Sequence, residues 1–434
     1  MPTSHRAART ALTASTVLVL ALTVAPAATA HPAAHPAAGH GSAGSLVLVG
    51  GGLKDDNDQV YGEIIDRAGG KGHARIGVLT AASVPESQDP NAGDPDTCSN
   101  SACNGAYYAD LFTRHGAADA EWIPVDLDHI AEADSDRVVA QVNSMSGFFF
   151  GGGDQNRYVT SLLHGSAHTD SKVLAAIRAK LAQGAVVAGS SAGAQIAAGP
   201  DMITGGDSYE ALRDGSTPGY FDDASRLGYL PQGGFGFLHS GLLDTHTGTS
   251  GREGRSLRLA ADTGHQRIYA LEENTALVVE HPGSPDESMR VIGPQGLAVF
   301  DLRHTHVSRR HGGWSLTGAA YDYLTDGDRY EPRRWRVRPA SDKKRLHPQD
   351  RTPVPANNDV FHSLADDAGV PYSFLGTARA LARSAEQREA TATTFESGPR
   401  FTVTFHKDRH FTPLTNDGTT ADTLIGMTVS ITPM

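Results

Sequence analysis

A short segment rich in glycine, serine and alanine, Gly189–Ala194, contains the residue best suited to covalent chemistry. Ser191 lies at the centre of a Gly-x-Ser-x-Gly pattern there, and apolar or small residues precede it as a predicted strand. A nucleophile elbow needs small neighbours because the serine backbone is strained and its strand and helix must pack closely. The helix that follows would direct backbone N–H groups at an oxyanion. The pattern predicts a nucleophilic Ser191, and a purely structural turn before a helix is the alternative.

A second glycine-rich segment, Gly151–Asn156, follows another predicted strand. Glycines at a strand end allow backbone amides to approach a ligand, so an amide near Gly153 or Asp154 could complete an oxyanion hole. Gln155 is a candidate for positioning the substrate. A tight turn before a helix would explain the three glycines equally well, and that alternative stays open.

The segment that begins at Leu242 supplies a candidate general base and two cations. His246 could accept the proton of the serine. Arg252 and Arg255 are three residues apart, so on a helix both would lie on one face. Paired guanidinium groups suit a carboxylate. A structural histidine and solvated surface arginines are the alternative.

A carboxylate is needed to hold the tautomer of such a histidine and to stabilise its imidazolium form. The candidates are Asp207 and Glu210, from the segment Gly-Gly-Asp-Ser-Tyr-Glu, and Asp244. Spacing alone does not choose among the three.

Strands and helices alternate along the first half of the chain. Buried-strand patterns begin at Ser45, Arg75, Glu121 and Ser146, and stretches with helical spacing lie between them. Such alternation with short loops predicts an α/β fold with a doubly wound, mostly parallel sheet covered by helices on both faces. In folds of this kind ligands gather at the carboxyl ends of the strands, and both glycine-rich segments fall there.

The pattern changes after about Leu297. Stretches beginning at Leu297, Phe401 and Met427 are typical of strands in a different arrangement. Helical spacing predicts helices over residues 362–370 and 378–387.

Residues 1–30 combine a basic start, an apolar stretch and small residues before a cleavage point, which is the pattern of a secretory signal peptide. Residues 31–44 lack apolar periodicity and are expected to form a flexible linker. We expect a catalytic α/β domain over residues 45–300 and a C-terminal, strand-containing extension over residues 301–434. The protein should therefore be secreted, without a membrane span.

The two cysteines, Cys98 and Cys103, are expected to form a disulfide in an exported protein. No matching histidine spacing accompanies them, which argues against a zinc site. The formal net charge of −12 gives no support to nucleic acid or an anionic membrane as a partner. We expect neither a metal nor a cofactor.

Together these motifs make the sequence similar to the cyanophycinase family, serine peptidases related to dipeptidase E. The resemblance spans roughly residues 45–280 and rests on Gly-Gly-Asp-Gln after a strand, the serine elbow, and the histidine followed by spaced arginines. It implies a fold like that of class I glutamine amidotransferases, a Ser-His-Glu triad and no metal. Carried over, Ser191 is the nucleophile, His246 the base and Gln155 a substrate-binding residue.

The resemblance makes Glu210 the expected acid, through an alignment with a one-residue insertion, and Asp207 stays the alternative. The stretch from Leu271, Leu-Glu-Glu-Asn-Thr-Ala-Leu-Val-Val, also resembles the family. The residues expected to bind substrate are Gly153, Asp154, Gln155, Ala192, Asp244, Arg252 and Arg255.

The sequence departs from the family around the base. Thr245 and Thr247 replace a glutamine and a phenylalanine, and Ser250 replaces the first of three arginines. We expect a secreted peptidase that acts on cyanophycin or a related aspartate-containing peptide. A peptidase for short aspartyl peptides and a non-catalytic binding protein on the same fold are the alternatives, and a homodimer is left open.

Overall fold

The computed structural model describes residues 44–221, 223, 225–310 and 313–434. The predicted signal peptide, residues 1–30, and all but the last residue of the predicted linker, 31–44, lie outside this part of the chain. Among the described residues, no helix is both long and apolar enough to span a membrane.

Helices in the described residues begin in several places at a polar side chain that caps them. The side-chain oxygens of Asn57, Asn100 and Ser171 each accept a hydrogen bond from the N–H three residues later, which satisfies a donor that has no partner inside the helix. The last helix confirms the predicted helix over residues 378–387 in part, because it overlaps this range only at residues 378–383. The helices are α1 (Asp58–Arg67), α2 (Ser101–Arg114), α3 (Asp136–Ser144), α4 (Gln155–Leu162), α5 (Lys172–Ala182), α6 (Ala192–Gln195), α7 (Ser208–Asp214), α8 (Glu253–Thr263) and α9 (Ser373–Arg383).

Strands occur along the whole described chain and continue to its C-terminal end. The first twelve are β1 (Ser45–Val49), β2 (Arg75–Leu79), β3 (Asp119–Trp122), β4 (Gly147–Phe150), β5 (Leu163–His164), β6 (Thr169–Asp170), β7 (Val186–Ser190), β8 (Met202–Ile203), β9 (Ser216–Pro218), β10 (Leu227–Leu230), β11 (Leu242–Asp244) and β12 (Arg267–Leu271). The others are β13 (Ala276–Glu280), β14 (Ser288–Ile292), β15 (Gly296–Asp301), β16 (His306–Arg310), β17 (Gly313–Thr325), β18 (Arg329–Glu331), β19 (Arg336–Arg338), β20 (Lys344–Arg345), β21 (Glu389–Thr393), β22 (Phe401–Thr415) and β23 (Thr423–Pro433).

The first large sheet has the strand order β19-β18-β14-β13-β1-β7-β4-β2-β3. The strands from β1 to β3 in this order are parallel neighbours, and those from β13 to β19 are antiparallel. In β1, Leu46 and Leu48 belong to the core on one face, whereas Val47 and Val49 belong to the core on the other. Both faces of this strand are buried, which is why its residues from Leu46 to Val49 are all apolar.

Helices cover both faces of the first sheet. On one face α1 and α2 contribute Ile64 and Phe112 to the core. On the other face α4 and α5 contribute Tyr158 and Ile177. The expected α/β class, with parallel strands in a large sheet, is therefore confirmed, and antiparallel strands extend that sheet on one side.

The second large sheet joins strands from both predicted domains. Its main order is β11-β12-β15-β17-β23-β22-β20, and β16 and β21 pair with β17 and β22. The strands expected from Leu297, Phe401 and Met427 are confirmed as parts of β15, β22 and β23. β15 pairs with β12 on one side and with β17 on the other. The expected boundary between residues 300 and 301 thus falls inside a strand that the two parts of the chain share.

The helix expected over residues 362–370 is wrong, because this segment forms turns. The Asp359 carboxylate accepts a hydrogen bond of 2.8 Å from the N–H of Ser363. The Asp366 carboxylate accepts one of 3.0 Å from the N–H of Ala368. Such local bonds from side chain to backbone compete with the helical pattern.

Cys98 and Cys103 are joined by a disulfide, and their Cα atoms lie 6.2 Å apart. Cys103 belongs to the first turn of α2, and Cys98 lies in the loop before it. The bond therefore ties this loop to the start of the helix.

Candidate active site

Ser191 occupies a sharp turn between β7 and α6. Its φ and ψ angles are 56° and −119°, a strained backbone for a residue other than glycine. A Cβ on Gly189 would lie 2.1 Å from the carbonyl oxygen of Gly193, and a Cβ on Gly193 would lie 1.9 Å from that of Phe150. The small residues around the serine are therefore required by close packing, as expected of an elbow, and the Ser191 hydroxyl lies at the carboxyl end of β7.

His246 follows β11 by two residues, and its ring faces the serine. Its Nε2 lies 2.7 Å from Oγ of Ser191. Its backbone N–H donates to the carbonyl oxygen of Gly50 over 2.8 Å. A Cβ on Gly51, whose φ is 104°, would lie only 2.1 Å from Cε1 of the ring. Gly51, which lies just after β1, thus leaves space for the imidazole ring because it has no side chain.

The second ring nitrogen of His246, Nδ1, lies 2.6 Å from Oε1 of Glu273. Glu273 follows β12 by two residues, and β12 is the parallel neighbour of β11. Because parallel strands end at the same edge of a sheet, the residues that follow them come together. Ser191, His246 and Glu273 therefore form the series of hydroxyl, imidazole and carboxylate that a hydrolytic triad requires.

Glu210 and its alternative, Asp207, are not the carboxylates that bond the histidine, so this expectation needs correction. Asp207 precedes α7 and Glu210 lies in the first turn of that helix. Burial raises the pKa of both carboxyl groups. The number of residues between the serine and Glu210 favoured Glu210 as the acid. This spacing does not show which strand lies next to β11, the strand that precedes His246.

A sequence signal for Glu273 was present. The carboxylates of Glu272 and Glu273 follow directly on the buried run Arg267–Leu271. A carboxylate immediately after a strand is well placed if that strand runs parallel to the one that carries the base. The sequence patterns do not show that β12 pairs with β11, and this pairing is what brings Glu273 to His246.

Asp244 and Arg255 bond each other inside the protein. Nε and Nη2 of Arg255 donate to the Asp244 carboxylate over 2.9 and 2.7 Å, and the Ser256 hydroxyl adds a bond of 2.7 Å. Nη1 of Arg255 donates to the carbonyl oxygen of Gly206 over 2.8 Å. Although burial opposes it, Arg255 holds the pKa of Asp244 below its usual value. Asp244 is fully buried and acts through this ion pair, whereas Arg255 also lines the cleft beside Ser191, so direct substrate binding by Arg255 stays a prediction.

Arg252 has a different environment on the same cleft. Its Nη1 donates to the carbonyl oxygen of Thr245 over 3.0 Å, and no described carboxylate forms a salt bridge with it. Burial, together with the neighbouring charge of Arg255, lowers the pKa of Arg252 to about 10. The guanidinium thus stays charged at neutral pH, and among the described residues the carboxylates of Asp207, Asp244 and Glu273 act on it without forming a salt bridge.

The cleft beside Ser191 encloses about 130 Å³, and its wall includes Gly153, Gln155 and Ala192 of the expected substrate-binding set. Nε2 of Gln155 donates to the carbonyl oxygen of Ile203 over 3.0 Å, which fixes its side chain in the wall. Within the described ranges, no cluster of three or more His, Cys, Asp or Glu side chains is arranged to hold a metal ion.

Two backbone amides that border the cleft are candidates for stabilising an oxyanion. Ala192 is the first residue of α6, so its N–H has no partner inside that helix. The N–H of Asp154 is already bonded to the carbonyl oxygen of Ala82 over 2.9 Å, which leaves the amide of Gly153. The Asp154 carboxylate caps α4 by accepting from Asn156 over 2.8 Å. Asp154 is therefore a helix cap, and Gly153 is the better candidate for the oxyanion.

The pH dependence of hydrolysis should reflect the surroundings of His246. Burial lowers the pKa of His246, Glu273 opposes this shift and Arg252 adds to it. A general base must be neutral, so kcat/KM should rise with pH through a pKa below 6.5, the usual value for histidine. Arg252→Met should move this rise to higher pH, because it removes a neighbouring positive charge. We would measure kcat/KM on an uncharged peptide substrate across the acidic and neutral range, and a rise centred above the usual histidine pKa would contradict the expectation.

Comparison with known proteins relates this site to one family of peptidases. The model of peptidase family S51 matches residues 105–284, which include Ser191, His246 and Glu273. A cyanophycinase of Nostoc sp. (strain PCC 7120) is 28% identical over 308 residues, covering 68% of this chain and 88% of the relative. A cyanophycinase of Thermosynechococcus vestitus is 27% identical over 307 residues, covering 69% and 82%. The solved structure of a peptidase from an acI-B1 Actinobacterium aligns with a TM-score of 0.43 at 18% identity, over 67% of this chain and 97% of that one.

Proposed function

We propose, on the premise that this chain belongs to peptidase family S51 and is a serine-type peptidase, that it hydrolyses cyanophycin or a related aspartate-containing peptide. Ser191, His246 and Glu273 are the proposed triad. The observation that carries this proposal is the hydrogen-bonded series from Ser191 Oγ to Nε2 of His246 and from its Nδ1 to Glu273, at 2.7 and 2.6 Å.

In the proposed reaction, Nε2 of His246 accepts the proton of Ser191 Oγ as this oxygen attacks the carbonyl carbon of the scissile bond. Glu273 orients the ring and stabilises its imidazolium form. The amides of Gly153 and Ala192 stabilise the oxyanion. The imidazolium then protonates the leaving amine, and an acyl ester remains on Ser191. Water, deprotonated by His246, hydrolyses the ester and restores the serine.

Arg252 supports the assignment of an acidic substrate. Arg252 lies in the wall of the cleft that holds Ser191, and no described carboxylate forms a salt bridge with its guanidinium. A partly buried cation of this kind favours a ligand carboxylate, because charge-assisted hydrogen bonds are stronger than neutral ones. Two relatives are named cyanophycinase. In an aspartate-containing peptide, the substrate group that Arg252 would bind is a free carboxylate near the scissile bond.

Replacement of Arg252 should therefore discriminate between substrates. Arg252→Ala should lower kcat/KM for aspartate-containing peptides about tenfold to a hundredfold, since a hydrogen bond to a charged group contributes roughly 1.5–3 kcal/mol. Peptides without a carboxylate near the scissile bond should lose much less. Both values come from initial rates on a pair of peptides that differ only by aspartate and asparagine.

Arg137→Ala is the matched control for this experiment. Arg137 lies in α3 and pairs with Glu132 at the surface, a kind of ion pair that contributes little. It should change neither substrate by more than about twofold. Equal losses on both peptides after Arg252→Ala would mean that Arg252 does not recognise a substrate carboxylate.

We also propose that the protein is exported and that its fold belongs with the class I glutamine amidotransferases. The basic and apolar pattern of residues 1–30 supports export, as does the bond between Cys98 and Cys103. The parallel order β1-β7-β4-β2-β3 and the serine elbow after β7 support the fold class. Peptide mapping of exported, unreduced protein should recover the two cysteines as one linked fragment and an N-terminus after residue 30.

Two assays test the proposed activity itself. A fluorophosphonate should label the protein at Ser191, which a non-catalytic binding protein would not allow. Incubation of the protein with cyanophycin should release aspartyl-arginine fragments, which product analysis would detect. Labelling without cyanophycin cleavage would retain the peptidase and reject this substrate.

A further inference from the structure

Gly248, two residues after the catalytic base, is held between two parts of the chain. Its N–H donates to Oε2 of Glu272 over 2.7 Å, and its carbonyl oxygen accepts from the N–H of Tyr372 over 2.6 Å. A Cβ at this position would lie 2.4 Å from Cδ1 of Tyr372 and 2.9 Å from Oε2 of Glu272. The turn after His246 is therefore fixed on one side by the neighbour of the triad acid and on the other by a residue more than a hundred positions later.

Tyr372 makes a second contact with the same turn through its side chain. The hydroxyl of Thr249 donates to the phenolic oxygen of Tyr372 over 3.0 Å. Tyr372 has a φ of 61° immediately before α9, and a left-handed backbone is uncommon for a bulky residue. Such strain persists only where the surrounding structure holds it. Both the backbone N–H and the side-chain hydroxyl of Tyr372 thus form hydrogen bonds with the turn.

The segment that leads to Tyr372 also packs against the next glycine of the turn. A Cβ on Gly251 would lie 1.6 Å from the carbonyl oxygen of Phe361. Phe361 is buried and stacks on Phe374 in α9, with ring centres 6.2 Å apart. Phe361 and Tyr372 therefore both pack against the loop that runs from His246 to Arg252.

The loop that carries His246 needs this packing, because the backbone of His246 is itself strained. It has a φ of 56°, and its Nε2 must stay within hydrogen-bonding distance of Ser191 Oγ while Nδ1 reaches Glu273. A displacement of about 1 Å at a catalytic group can cost on the order of a hundredfold in rate. The hydrogen bonds of Gly248 restrain the backbone just beyond the ring that would otherwise move.

We propose that Tyr372 is a positioning residue for catalysis, which holds the 246–249 turn so that His246 stays aligned with Ser191 and Glu273. This inference rests on the proposed function. It assigns a role in the reaction to the part of the chain beyond residues 105–284, the stretch that matches the peptidase family. Tyr372 itself touches neither the serine nor the cleft wall described above.

The test separates positioning from substrate binding and from stability. Tyr372→Ala should lower kcat by about tenfold to a hundredfold with KM nearly unchanged, and the rate of fluorophosphonate labelling should fall in parallel. Tyr372→Phe, which keeps the ring and the backbone bond, should lose only about threefold to tenfold. Thr249→Val should match it, and the double variant should be no worse than either single one, because both remove the same contact.

Two control variants make the result decisive. Val403→Ala truncates a fully buried side chain of β22 and should lower the melting temperature without slowing labelling. Tyr323→Phe removes a hydroxyl that has no hydrogen-bond partner among the described residues and should change neither quantity. If Tyr372→Ala slows labelling no more than Val403→Ala at an equal loss of melting temperature, or if the effects of Tyr372→Phe and Thr249→Val add in the double variant, the positioning role is refuted.

Ser191→Ala, assayed beside these variants, distinguishes the two levels of inference. If Ser191→Ala abolishes hydrolysis and the Tyr372 variants keep full activity, the proposed function stands and the positioning role falls. If Ser191→Ala keeps its activity, the proposed function fails and this inference fails with it.

Discussion

Ser191→Ala should abolish peptide hydrolysis and leave the fold intact. Loss of the nucleophile removes the acyl-enzyme route, for which we expect kcat to fall on the order of 10⁶-fold. Alanine has a Cβ like serine and meets the same backbone strain at a φ of 56°, so the elbow keeps its geometry. Turnover is measured on the best peptide substrate, and circular dichroism with a thermal melt verifies folding.

Ser190→Ala is the matched control for this result. Ser190 is the last residue of β7 and precedes the nucleophile directly. Its replacement should leave kcat within a few-fold of the unchanged protein, since surrounding atoms and strand pairing are kept. Near-normal turnover by Ser191→Ala would remove this serine from the mechanism, whatever the control shows.

Glu273→Gln should have the second largest effect, a fall in kcat of about 10²- to 10⁴-fold. The carboxylate accepts a hydrogen bond from Nδ1 of His246 over 2.6 Å and so leaves Nε2 free to take the serine proton. A glutamine amide can instead donate to Nδ1, which favours the tautomer that carries its proton on Nε2 and cannot act as the base. Glutamine has nearly the same size as glutamate, so the fall in kcat reflects the changed tautomer of His246 and the lost negative charge rather than a change in packing.

Glu210→Gln and Asp207→Asn are the comparison variants for the acid. Neither carboxylate bonds the histidine, and each replacement keeps the size of its side chain. We expect both to retain kcat within a few-fold, well above Glu273→Gln. Steady-state kinetics of the three proteins on one substrate decides the assignment, and a larger loss for Glu210→Gln than for Glu273→Gln would restore the acid expected from the sequence.

Local patterns were sufficient to select the serine and the histidine that the structure brings within hydrogen-bonding distance. The small residues around Ser191 are needed for backbone packing, and this requirement is visible in the chain as a run of glycine and alanine. His246 was recognisable as a titratable side chain next to a strand pattern. The class of the fold followed in the same way from alternating strand and helix patterns.

Features that depend on which strands become neighbours were not predictable from these patterns. Glu273 acquires its position from the pairing of β12 with β11, and no local spacing encodes that pairing. Arg252 and Arg255 have similar sequence surroundings, but only Arg255 forms a salt bridge with the buried Asp244. Tyr372 reaches Gly248 across 124 residues, a contact created by tertiary packing alone.

The position of β23 in the second sheet has a consequence for the timing of biosynthesis. This strand covers residues 423–433 and is therefore made after the other described strands of the sheet, yet it lies between β17 and β22 in the interior of the sheet. Until it emerges, the strands on either side present unpaired N–H and C=O groups, which attract other extended chains. The part of the sheet that carries the histidine and its carboxylate, β11-β12-β15-β17, therefore cannot be joined to β22 until residues 423–433 have been made, and we expect the edges of β17 and β22 to need protection until then.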